Sequence, residues 1–252
     1  MFKVSVREIM DYCFCPHFYK MKYVDKVIHE NITDHYEKIL KQCFYAYLNS
    51  LKNNGKVNIT YLTRLWGKYW IKDGSTAKVM ASPSGNSRDR YDTLRKAGIK
   101  AVISFDKMVS SGEQFPLMVH KQYTVNIGKI SLTGDFEYVR EHGMYTENEC
   151  FQVIKFGYRD SYMTAYQMSN DLELTAAAYA FRTIFNTEDA PVKTMWFNIS
   201  KERVIETEKT EEDYQKMKET ITGAAKCINS KIFPACPDAR CYICSYRNQC
   251  RI

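Results

Sequence analysis

The hydrophobic rhythm of this chain changes along its length. Ser5-x-x-Glu8 is a capping box, which predicts a short helix from Val6 towards Tyr12, stopped before Pro16. Over residues 33–53, Ile32, Tyr36, Ile39, Leu40, Cys43 and Tyr47 fall along one helical face, and Asn54-Gly55 closes it. A third helix over 61–71 packs Leu62, Leu65, Trp66 and Tyr69. Residues 73–90 are rich in Ser and Gly, show no period and read as a mobile loop. A helix resumes over 90–108, with Gly98 as its weak point.

The period then drops to two. Residues 117–125, 129–140 and 150–158 predict strands, separated by Gly128 and by a turn at His142-Gly143. Asn170 can cap a helix over 171–185, whose Ala176-Ala177-Ala178 run implies close packing against another element. Strands over 192–199 and 203–208 precede a helix over 211–229. This order describes one α/β domain, 1–252, with a mixed sheet flanked by helices. It divides into a helical insertion at 20–110, a core at 111–230 and a cysteine loop at 231–252.

Composition narrows the class. No apolar run approaches the ~18 residues that span a bilayer, and MFKVSVREIM carries charge too early for a signal peptide, so a reducing cytoplasm is the expected compartment, with no membrane partner. Nine cysteines there are better explained as metal ligands and small buried residues than as disulfides. The net charge of +7, from 36 basic and 29 acidic residues, fits a polyanion partner.

Cys241, Cys244 and Cys250 form a C-x2-C-x5-C run, and three thiolates in one short loop invite a shared metal. Cys15, before Pro16, could be the fourth ligand and tie the two ends of the chain together; Cys236 could instead complete a local zinc knuckle. Sulfur donors alone do not separate zinc from an iron-sulfur cluster. Cys43, Cys150 and Cys227 read as buried small residues.

The opening segment VSVREIMDYCFCPHFYKMKYVD, with its Cys15-Pro16-His17-Phe18-Tyr19, resembles the start of RecB-type nucleases of the PD-(D/E)XK superfamily. The three C-terminal cysteines have the spacing of its iron-sulfur members, among them CRISPR-associated RecB-like exonucleases and the AddB subunit of a bacterial helicase-nuclease. The resemblance implies a restriction-endonuclease-like fold and a 4Fe-4S cluster on Cys15, Cys241, Cys244 and Cys250, with zinc as the alternative.

That superfamily sets a Mg2+ or Mn2+ site on a hairpin, one acid from a Gly-x-x-Asp strand and an Asp/Glu-x-Lys pair from the next. Carboxylates hold the metal and lysine orients the nucleophile. LTGDFEYV supplies Gly134 with Glu137 in the aspartate place, and Asp135 shares its face. In FQVIKFGY, Lys155 matches the lysine, but Val153 stands where the essential acid belongs and cannot bind a metal; Gln152 points to the opposite face. By resemblance His35 corresponds to the metal-site histidine. The family's Gln-x-x-x-Tyr helix is represented only by Thr175 to Tyr179 or Glu173 to Ala177.

These residues predict a nuclease-fold protein that binds DNA, single-stranded above all, with weak or lost cleavage. Lys78, Arg88, Arg90 and Tyr179 are the expected nucleic-acid contacts. The alternatives are an active metal-dependent DNA exonuclease using Asp135, Glu137, Lys155 and His35, or a non-catalytic subunit of a larger assembly, partnered by a helicase or nuclease.

Overall fold

The computed structural model describes residues 1–27, 32–54, 56–72, 87–110, 115–143, 146, 149–158, 163–187 and 191–250. The chain opens with strand β1 (Phe2–Ser5), helix α1 (Val6–Phe14) and a short α2 (Pro16–Tyr19) that runs into a π-helical turn (Lys20–Val24). Helices α3 (Ile32–Asn54), α4 (Ile59–Lys72) and α5 (Ser87–Ser110) follow, then strands β2 (Phe115–Ile127), β3 (Ile130–His142) and β4 (Cys150–Gly157). The rest is α6 (Ala165–Ser169), α7 (Leu172–Phe185), β5 (Val192–Asn198), β6 (Arg203–Glu208), α8 (Glu211–Asn229) and a 3-10 turn (Ala239–Ile243).

Local chemistry sets most of these boundaries. At α1 the Ser5 hydroxyl accepts from the Glu8 amide at 3.1 Å, and Glu8 accepts from the Ser5 amide at 2.8 Å, so two orphan donors of the helix start are satisfied at once. Thr210 and Asp213 do the same for α8. The cap of α7 is Asp171, not Asn170: its carboxylate accepts from the Leu174 amide at 2.8 Å, while Asn170 ends the five-residue α6. Residues 73–86 of the expected loop lie outside the described residues, and 87–90 belong to α5.

Among the described residues six strands make one mixed sheet, in the order β1-β3-β4-β5-β6 with β2 also on β3. One edge of β3 pairs with β2 along its length. The other edge pairs in parallel with β1 over 130–133, and then antiparallel with β4 over 138–142. Residues 134–137 lie in the gap between those two partners.

Helices cover both faces. Ile9 of α1, Phe181 of α7 and Ile221 of α8 share a core with Leu132 and Val153. Phe44 of α3, Trp66 of α4 and Phe105 of α5 share the other with Tyr138, Ile154 and Phe156. No helix of the described residues is long and apolar enough to cross a membrane.

Gly98 is not a weak point of α5 but its contact point, since a Cβ there would run into the Trp66 ring. Gly98→Ala should therefore destabilise the protein by about 1–3 kcal/mol through overpacking, although alanine favours an isolated helix by about 1 kcal/mol. Chemical denaturation of the two proteins measures the sign.

Candidate functional site

The gap in the pairing of β3 is where the sequence placed its chemistry. Gly134 has no side chain because the Tyr123 ring, across on β2, fills the space a Cβ would need. Past Tyr138 and Ile154 the strands β3 and β4 separate, and the Phe156 amide loses its ladder partner. Glu137 takes that place: its Oε2 accepts from the Phe156 amide at 2.7 Å. An unpaired amide in a sheet interior costs about 1–3 kcal/mol, so this bond holds the carboxylate firmly.

The other oxygen is equally engaged. Glu137 Oε1 receives the Tyr158 hydroxyl at 3.1 Å, the Tyr45 hydroxyl at 3.2 Å and the Lys41 ammonium at 3.1 Å. Burial, and after it the Glu137 charge, raises both phenols above the ordinary tyrosine value, so they stay protonated donors. Asp135 is exposed on the same side of β3.

Val153 and Lys155 of β4 border the same recess as Asp135 and Glu137, joined by Glu173, Leu174 and Ala177 of α7. Val153 is 2% exposed and belongs to the apolar core. Gln152 points the other way, where it is buried and accepts from Arg140 at 2.5 Å. Lys155 makes two ion pairs, at 2.6 Å with Glu173 and 3.2 Å with Asp171. Burial alone would lower the lysine, but the charges of Glu173 and Asp171 outweigh it and raise its pKa. Burial likewise opposes ionisation of Glu173, and Lys155 reverses this, holding the carboxyl below the usual range.

Glu173 is the acid that strand periodicity could not find. It comes from a different element, at the first turn of α7, where a carboxylate also suits the positive end of the helix dipole. The available signal was Lys155 itself: a lysine alternating with core residues needs a counter-charge, and Asp171 and Glu173 are close in sequence.

The remaining expected residues are scattered. His35 is buried with its ring 5.9 Å from that of Trp70 on α4, and it does not line the recess. Tyr179 is half-buried, with Lys218 4.7 Å above its ring and Tyr214 5.8 Å away, both from α8. Lys78 lies outside the described residues, as do the side chains of Arg88 and Arg90 in the first turn of α5.

The chain's two ends do meet. The Tyr246 hydroxyl donates to the Val27 carbonyl at 3.0 Å, its ring packs edge-on against Phe18, and Tyr12 donates to the Ile232 carbonyl at 2.8 Å. Cys15, Cys236, Cys241, Cys244 and Cys250 border one cavity of about 300 Å3 there. Burial first, and then the charges of Cys15, Cys244 and Cys241, raise the Cys250 thiol.

The donor chemistry of these cysteines suits a soft metal or cluster. Among the described residues no three His, Cys, Asp or Glu groups converge in metal-binding geometry, in this cavity or in the recess. For the recess the reason is visible: Glu137 is surrounded by four donors, Glu173 is paired, and Val153 offers no oxygen. The residues present there do not make a ready Mg2+ site.

Comparison with known proteins agrees on the fold at the level of the family. No curated protein matches the chain. A solved structure titled "Crystal structure of SSO0001" is 14% identical, covering 85% of this chain and 94% of its own, with a TM-score of 0.35, too low to carry an argument. The family model described as the PD-(D/E)XK nuclease superfamily matches residues 3–251. A match that extends from β1 past the sheet gap into the cysteine loop leaves one conclusion: the chain belongs to the PD-(D/E)XK nuclease superfamily.

Proposed function

We propose that this chain is a RecB-like member of the superfamily that holds a strand of DNA while cleaving it weakly or not at all. The observation that carries this reading is the state of the acids. Val153 occupies the position of a ligand, and both oxygens of Glu137 are committed to Lys41, Tyr45, Tyr158 and the Phe156 amide. A net charge of +7 supports a phosphate partner. In this reading Cys15, Cys241, Cys244 and Cys250 hold a 4Fe-4S cluster, or zinc, that fastens the chain's ends, which is a folding role independent of cleavage.

A second reading, an active exonuclease, is favoured by one contact. Glu173 meets Lys155 at 2.6 Å and could supply the acid that Val153 lacks. The two readings separate in one experiment on anaerobically purified protein with single-stranded DNA and Mn2+. The first expects binding that falls steeply with salt, by about −0.7 in log-log slope per phosphate contact, and little or no cleavage. Robust cleavage that Lys155→Ala and Glu173→Gln each abolish establishes the second.

A further inference from the structure

One residue breaks β2 from within. His120 has φ +46°, whereas among the described residues the other non-glycine residues with positive φ, Lys26, Asn186, Glu202 and Lys231, lie outside the strands. Left-handed backbone inside a strand is strained for most side chains, and glycine would relieve it. The break also interrupts the alternation: between buried Val119 and buried Tyr123, the residues His120, Lys121 and Gln122 are all exposed.

The position of this break matters more than the break itself. Val119 pairs with Tyr138 and Lys121 with Phe136, so His120 stands across from Glu137. Its ring lies flat on Tyr45, centroids 4.5 Å apart and planes 11° from parallel. Tyr45 in turn donates to Glu137 at 3.2 Å. Stacking sets the plane of the imidazole, and among the described residues its two nitrogens have no hydrogen-bond partner.

We infer that His120 is a phosphate-contacting residue, whose ring N–H donates to a non-bridging oxygen of a nucleic-acid strand passing the Glu137 recess. The inference rests on the DNA-binding reading above and gives it a place. Strain held at an exposed, unpartnered and rigidly stacked imidazole is accounted for by such a ligand, and Lys121 beside it adds attraction that is indifferent to sequence. A histidine kept only for its stack would be better placed without the strain.

The test uses a fluorescein-labelled single-stranded oligonucleotide at low salt with a chelator present, so that no metal contributes. Binding and thermal melting are measured for the unmodified chain, His120→Gly and His120→Asn. His120→Gly removes the ring and the strain together, so it should melt no lower than the unmodified chain yet bind about tenfold more weakly. His120→Asn, which tolerates positive φ and keeps N–H donors, should recover part of the loss. Equal binding by His120→Gly overturns this inference alone, as does a loss of binding that only follows a loss of melting temperature. Absence of binding by the unmodified chain overturns this inference and the DNA-binding reading together.

Discussion

If the proposed cluster is present, the unmodified chain is expected to be brown, and Cys15→Ala to be colourless, without iron or sulfide, and to melt about 10 °C lower. A cluster on Cys15 and the C-terminal cysteines would close a loop spanning nearly the whole sequence, and in the chain-entropy account a cross-link of that length is worth about 5 kcal/mol. For a domain of this size, that corresponds to roughly 10–20 °C. The lower end is expected because Tyr246 to Val27, Tyr12 to Ile232 and Phe18 against Tyr246 already hold the ends without metal. Iron and sulfide analysis with calorimetry measures both effects. One equivalent of zinc, retained after Cys15→Ala, would move the site to Cys236, Cys241, Cys244 and Cys250.

Val153→Glu should give the recess a divalent-metal affinity greater than that of the unmodified chain. Position 153 is two residues before Lys155 on the same strand face, so the new carboxylate would enter beside Glu137 and Glu173. Without metal, a buried unpaired acid costs several kcal/mol and the variant should melt well below the unmodified chain. With Mn2+ at about a hundred times its Kd, about 2.7 kcal/mol should return, or roughly 5–10 °C. The unmodified chain should show no comparable shift. A large Mn2+ shift in the unmodified chain would mean that Glu173 and Glu137 already form a site, and would favour the active nuclease.

The elements most legible in the sequence were those whose signals are local. Ser5 with Glu8 marks a helix start because a capping box is completed within four residues, and the alternation through Gly134 and Lys155 marks strands because neighbouring side chains take opposite faces. The four-residue β1 and five-residue α6 escaped, being too short to show a period; pairing with β3 makes the first, and the Thr164 cap makes the second. The start of α5 at Ser87 was hidden because a polar, serine-rich run carries no apolar stripe.

The chain alone determined that Glu137 and Lys155 sit on adjacent strands, that Val153 lies two residues before Lys155 on one strand face, and that three cysteines share a loop. Only the tertiary structure decided what surrounds them. Which donors bind Glu137 depends on α3 crossing the sheet gap, and which acid meets Lys155 depends on where α7 begins over β4. That His120 faces Glu137 depends on the register of β2, and that Cys15 neighbours Cys250 depends on both ends folding together. Each is a contact between elements far apart in sequence, and no local periodicity encodes the distance between two such elements.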